Sequence, residues 1–215
     1  MTRRSIQSLI ALYTLAPGIK DVWVEGVTDA KLLRCYFHEN GISNIVVKEI
    51  ATVEVPSQQV FENSLQDNNR GRVATLAKIL SDELSNASDY VRCVIDPDFE
   101  FLSTASRFEA PVLVRYDYCC LEMYSFNEST LKRFFLMFCS NTPDTGMLID
   151  DMGKIGSELF LIRFVRSRLC PNAEAVSIDS CCTLSDAHIT FELQDYLTKQ
   201  LSRTEFARDK SDFGK

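Results

Sequence analysis

The sequence predicts an α/β protein with three layers, a mostly parallel central sheet and a C-terminal helical elaboration. Two observations carry this reading. Over residues 20–120, apolar runs of strand length alternate with amphipathic stretches of helical period, and the turns between them are short. Beyond residue 121 the alternation stops and helical periodicity dominates. Strands that alternate with helices imply a parallel sheet covered on both faces, because each crossover lays a helix across the sheet. The expected organisation is an N-terminal helix (1–19), a core (20–120) and a helical elaboration packed on that core (121–215).

Each element has its own justification. In "MTRRSIQSLIALYTL", Ile6, Leu9, Ile10 and Tyr13 fall at helical spacing, and Pro17-Gly18 ends the pattern. Val22 to Val24 read as a buried strand. Gly26 turns it into a helix with Thr28 as N-cap, Asp29 in the first turn and Leu32, Leu33, Tyr36 and Phe37 on the apolar side, stopped by Gly41. "NIVVKEI" gives a second strand. A polar, Pro-containing connection leads to "NNRGRVATLAKIL", a helix with Val73, Leu76, Ala77 and Leu80 on one face. "YVRCVIDPDFE" and "PVLVRYDY" supply two more strands. After residue 121, "ESTLKRFFLMF" puts Leu131, Phe134, Phe135 and Phe138 on one stripe, and "SELFLIRFVRSRL" does the same with Leu159, Ile162 and Val165. "SDAHITFELQDYLTKQL" reads as a terminal helix capped by Ser185 or Asp186, followed by a frayed tail.

Composition narrows the functions. The 215 residues are enough to bury one well-packed core, and the formal net charge of -7 argues against a protein that coats duplexes non-specifically through neutralised phosphates. It leaves room for an enzyme that grips phosphates locally, since a bound cation inverts the field around carboxylates. Eight cysteines are scattered among apolar runs without a signal segment, so a reduced, cytosolic (cytoplasmic) protein is expected. The adjacent pairs Cys119-Cys120 and Cys181-Cys182 lack a CxxC partner, which argues against zinc. The longest apolar runs fall short of a bilayer span, so no membrane partner is expected. His38 and His188, the only histidines, read as structural. Lys154 in "DMGKIGS" lacks the rest of a phosphate-binding loop.

The acids carry the chemistry. In a wound α/β sheet the loops beyond the strand C-termini share one crevice. Glu25 leaves the first strand there, Asp29 begins the next helix, and Asp96 and Asp98 leave a later strand around Pro97, which biases Asp96 toward extended backbone. Extended Asp-Pro-Asp projects both carboxylates to one side. Singly, these residues are ordinary: a solvent-facing turn, a favourable first-turn charge, a strand end before glycine. Together at corresponding strand ends they form an oxygen-rich ligand set for a hard divalent cation, Mg²⁺ or Mn²⁺. Arg70 and Arg72 flank Gly71 at a helix start, where free amides also favour phosphate. They are candidate substrate phosphate contacts, or else a solvated helix end.

"VWVEGVTD" followed by "VIDPD" resembles the Toprim domain, the metal-binding α/β module of topoisomerases, primases and several nucleases. The resemblance covers residues 20–120. It implies a metal-organising glutamate at Glu25, a D-x-D pair at Asp96 and Asp98, and an accompanying acid at Asp29. A narrower likeness is to the Toprim-like effector subunits of PARIS-type anti-phage defence systems, encoded beside an ABC-type ATPase. "VEGVTD", "DNNRGRV", "IDPD" and "YDYCCLEMY" match their parts in order, the last pointing to Glu122. That likeness implies a nuclease toxin released by the ATPase sensor, with RNA (tRNA) as a reported type of target, DNA as the alternative substrate and a homodimer as a possible released form. Asp96 and Asp98 would be metal ligands. Glu25 would bind metal or accept a proton, and Glu122 would complete a second metal site or simply cap within the elaboration. The rival reading is a non-catalytic subunit docking through Phe134, Phe135, Met137 and Phe138. A receiver domain fits less well, because it expects paired acids after its first strand.

Overall fold

The computed structural model describes residues 3–102, 107–139, 143–185 and 188–203. The chain divides into two compact units, Met1–Ser125 and Phe126–Lys215.

In the first unit, β1 (Arg4–Ser5) runs straight into α1 (Ile6–Leu15), which starts there because the Ser5 hydroxyl accepts the Ser8 amide at 3.2 Å. β2 (Asp21–Val24) is buried along its length and turns at Glu25-Gly26 into α2 (Val27–Glu39). There follow β3 (Val46–Glu49), β4 (Val53–Glu54), α3 (Ser57–Glu62), α4 (Asn69–Glu83), β5 (Val91–Ile95) and β6 (Leu113–Arg115). The central sheet has the order β3-β2-β5-β6, with every pairing parallel. β1 and β4 make a separate parallel pair.

Side-chain alternation along the strands divides the core into two layers. Trp23, Cys93, Ile95 and Leu113 pack with Leu9 and Tyr13 of α1 and with Val73, Leu76 and Leu80 of α4. Val22, Val24, Val47 and Val94 face the other way, toward Ala30, Leu33 and Phe37 of α2. The first unit is therefore a three-layer α/β arrangement around a parallel sheet.

Two local features fix its geometry. At the N-terminal end of β2 the fully buried Asp21 carboxylate accepts from the Tyr13 hydroxyl at 2.7 Å and pairs with Lys48 at 2.5 Å, and Trp23 Nε1 donates to the Tyr13 oxygen at 2.9 Å. This ties α1 to the sheet. At the start of α4, the Asn68 side chain accepts the Gly71 amide at 2.8 Å, and a Cβ at Gly71 would lie 2.0 Å from the Gln66 carbonyl oxygen. Only glycine admits that approach.

The second unit contains α5 (Glu128–Phe138), α6 (Thr145–Leu169), the antiparallel hairpin β7 (Cys182–Ser185) and β8 (His188–Phe191), and α7 (Leu193–Ser202). Leu159, Val176, Cys181 and Tyr196 form its core.

Several local expectations are corrected. The helix expected across 185–201 is a hairpin followed by a shorter helix. Thr183, Ile189, Thr190 and Phe191 favour a pleated surface, and the alternation of Ile189 with Phe191 outweighs the weaker helical period. Ser185 therefore lies in β7 and His188 in β8, while Asp186 and the tail beyond 203 lie outside the described residues. α2 is capped at Gly26, not Thr28, because Asp29 reaches back to the Gly26 amide. α6 begins twelve residues before the stretch read as its start, with Asp144 accepting the Gly146 and Met147 amides. Its three glycines hid those early turns. The α5 stripe forms as a helix, but none of its residues is buried.

Candidate functional site

The C-terminal edge of the central sheet collects the acids from elements distant in sequence. Glu25 follows β2 and Asp96 follows β5, its neighbour in the sheet. The Asp96 amide donates to Glu25 Oε1 at 3.0 Å, so the two corners are in direct contact across 71 positions. Asp29 stands in the first turn of α2 and accepts the Gly26 amide at 3.0 Å through Oδ2. Glu122 lies on the short 3₁₀ turn Leu121–Ser125, which belongs to the first unit, and its charge acts on Asp29 and Asp96.

The Asp-Pro-Asp segment departs from the extended form expected of it. Pro97 is buried, and Asp98 takes a left-handed backbone with φ +46°. Such a conformation costs about 1–3 kcal/mol and is tolerated best by Asp, Asn and Gly. It swings Asp98 toward Arg70, whose Nε lies 3.6 Å from Asp98 Oδ2.

Both arginines come to this same edge. Arg70 donates to the Asp96 carbonyl at 3.0 Å and pairs with Glu100, which in turn accepts from Arg115 at 2.6 Å. Arg72 is held by Asp67 at 2.7 Å, and Asp67 also accepts from Ser57. Asn69 Nδ2 donates to the Glu25 carbonyl at 2.9 Å, tying the start of α4 to the end of β2. Glu25, Asp98, Arg70, Arg72 and Asp67–Asn69 line an open cleft of about 500 Å³.

The acids raise one another's proton affinity. Burial pushes the Glu25 carboxyl up to about 7; the Asp96 amide and Arg70 oppose the shift, and the charges of Asp96 and Asp98 add to it. Burial, then the charges of Asp29, Asp98 and Glu122, push Asp96 up to about 6. Asp29 and Asp98 are also raised, chiefly by burial, with Glu122 adding at Asp29 and Glu100 at Asp98. Carboxylates are gathered here faster than cations compensate them.

Of the six buried side-chain polar atoms without a hydrogen-bond partner among the described residues, two belong to this edge: Asp96 Oδ1 and the Tyr116 hydroxyl. Tyr116 follows β6 directly, and its proton is held more tightly by burial and by the charges of Asp29, Asp96, Glu25 and Glu122. Sequence reasoning missed it, although a polar residue at the C-terminal end of a strand is the same signal that marked Glu25. Glu100, Arg115 and Asn69 were also missed, and no spacing marks them.

The donor set suits a hard cation by its chemistry: carboxylate oxygens, one of them orphaned at Asp96, in a field short of positive charge. Among the described residues, however, no three His, Cys, Asp or Glu side chains are grouped so that they could hold a metal ion as they stand. The reason is visible in their partners. Glu25 Oε1 and Asp29 Oδ2 are engaged by backbone amides, and Asp98 is drawn to Arg70. The histidines lie elsewhere: His38 in the last turn of α2, and His188 with Nδ1 3.0 Å from Asp151 Oδ2 in the second unit. Among the described residues no helix is long and apolar enough to cross a membrane.

No protein-family model matches the chain, and no curated protein matches it.

Proposed function

We propose that this protein is a Toprim-like, divalent-metal-dependent nuclease that hydrolyses phosphodiester bonds, using Mg²⁺ or Mn²⁺. The observation that carries the reading is the junction of Glu25 with Asp96 at adjacent strand ends, with Asp29, Asp98 and Glu122 acting electrostatically on that pair. A group of acids that destabilise one another's charge has a use when a cation and a phosphate arrive together.

Asp96 and Asp98 would hold the cation, which when bound would supply charge for the phosphoryl oxygens and lower the pKa of bound water. Glu25, with its proton affinity near neutrality, is suited to take a proton from an attacking water at its free oxygen. Asp29 holds the Glu25-Gly26 corner by capping α2. Arg70 and Arg72, on the wall of the cleft, would receive the flanking phosphates. The likeness to PARIS-type effectors extends the proposal to RNA, tRNA in particular, as substrate and to an ABC-type ATPase as the partner that withholds the protein until infection, with a released homodimer.

One observation favours a second reading, a docking subunit without catalysis. Phe134, Met137 and Phe138 on α5 are all more than half exposed. The deciding experiment is a cleavage assay of the purified protein on total tRNA, single-stranded RNA and plasmid DNA with Mg²⁺, Mn²⁺ or EDTA. Glu25→Gln and Asp96→Asn should each lower metal-dependent cleavage by at least about 100-fold. Cleavage unchanged in both variants would reject the site. Silence of the wild type on every substrate would leave the docking reading.

A further inference from the structure

We infer that Tyr116 is a further catalytic residue, its hydroxyl donating a hydrogen bond to a nonbridging oxygen of the phosphoryl group held against the carboxylates. This rests on the phosphodiester reading above. The ground for it is a pair of orphans on neighbouring strands. β5 and β6 pair Ile95 with Arg115, so Asp96 and Tyr116 leave the sheet side by side. Each carries a buried polar atom without a partner among the described residues, Asp96 Oδ1 and Tyr116 Oη.

The Tyr116 ring is held in place. It packs against the layer formed by Val22, Val24 and Val94, and stands edge-on to Tyr124 at 6.1 Å between centroids. A phenylalanine would fill the same space without burying a hydroxyl, and a buried donor left unmade costs its full desolvation. The hydroxyl therefore has a use only when something else enters the cluster. What it would meet is defined by its surroundings. Ionised carboxylates accept and cannot donate, and the two arginines at this edge are turned to Asp98, Glu100 and Asp67 on the cleft wall, where they would meet flanking phosphates. Tyr116 is an uncharged donor there that is not already spent. Set among anions and away from water, it stays protonated, which suits a fixed donor toward an electron-rich oxygen and unsuits a base.

The test uses the full chain and Tyr116→Phe, which removes one oxygen and keeps the ring. Two readouts are taken. With Mg²⁺ and the RNA that the wild type cleaves, kcat should fall about 100-fold at constant KM, while the unfolding midpoint does not fall, since the variant no longer buries an unmade donor. Unchanged kcat in a variant that folds overturns the catalytic role. Separately, inorganic phosphate titrated in the presence of Mg²⁺ should perturb the tyrosine absorbance of the wild type, and the perturbation should be lost in Tyr116→Phe. A signal that survives the substitution overturns the hydroxyl–phosphoryl contact whether or not the protein cleaves nucleic acid. Wild-type silence on RNA and DNA, with a phosphate signal that depends on Tyr116, would reject the nuclease reading and the catalytic role while keeping the contact.

Discussion

Neutralising Glu25 should make the metal-free protein more stable, with no gain below about pH 4.5 and the full gain only above about pH 7. Its carboxyl is raised from 4.5 to about 7, chiefly by burial. At 1.36 kcal/mol for each pH unit, that rise amounts to at most about 3 kcal/mol. The cleft is open, so solvent screening reduces the figure to about 1–2 kcal/mol. The sign follows from linkage. Below pH 4.5 the carboxyl is protonated in both the folded and unfolded chain, and no penalty exists. As pH rises toward 7 the unfolded chain releases its proton first, the folded chain retains it, and stability is lost until the folded carboxyl has also ionised. Glu25→Gln keeps an oxygen for the Asp96 amide and removes the charge.

Thermal or urea unfolding at pH 4, 6 and 8 checks this. The variant should match the wild type at pH 4 and exceed it by about 1–2 kcal/mol at pH 8, or about 4–8 °C in the transition of the first unit. Mg²⁺ at a hundredfold excess over its Kd should stabilise the wild type by about 3 kcal/mol at pH 8, and the variant far less. A stability difference that is the same at pH 4 and pH 8 would refute the account of Glu25. So would a variant that gains as much from Mg²⁺ as the wild type.

Two other perturbations follow from the same structure. Lys48→Met leaves the fully buried Asp21 carboxylate without its cation, so the urea midpoint should report a loss of about 3–5 kcal/mol, most of it recovered when Asp21→Asn is added; a loss below about 1 kcal/mol would mean that Tyr13 alone satisfies Asp21. Arg72→Gln should weaken RNA binding equally across sequences and reduce the slope of log K against log salt by about one, whereas an unchanged slope would confine Arg72 to its pairing with Asp67.

Legibility varied with the kind of signal. The β2–α2 corner, the α4 face and the β5 strand were readable because each residue's role is set by its own neighbours: Val22 to Val24 alternate between two packed layers, and Val73, Leu76 and Leu80 repeat along one helix. The sheet edge that gathers Glu25 and Asp96 was readable because parallel strands send their C-terminal loops to one side, whereas Arg70, at a helix start, could equally have been a solvated end. The β1–β4 pair was not, since two-residue strands have no periodicity to detect. Nor was the left-handed backbone at Asp98, whose neighbour Arg70 is brought to it only by the tertiary fold. The hairpin at β7–β8 was misread because nearby polar residues imitated a helix cap. Tyr116 was hidden by its residue type, a common strand aromatic whose distinguishing feature, an unpaired hydroxyl, exists only once the neighbouring strand has been placed.

The two ends of β2 make the strongest physical case for a ligand at the acidic edge. Both carry an acid removed from bulk water, on one strand of the same sheet. At the N-terminal end the fold supplies the opposite charge that Asp21 needs: an ammonium from β3 and a phenol from α1 meet its Oδ2, and the phenol is itself oriented by Trp23, although Oδ1 is left without a partner among the described residues. At the C-terminal end the fold adds acids instead. Glu25 receives a backbone amide, then the charges of Asp96 and Asp98, while the nearest guanidinium is shared among Asp98, Glu100 and the Asp96 carbonyl. A sequence able to neutralise a buried carboxylate at one end of a strand leaves several uncompensated at the other, together with a left-handed aspartate and two orphaned polar atoms. Repulsion among these carboxylates is a cost that an incoming cation would offset, which is what the proposed metal-dependent chemistry requires.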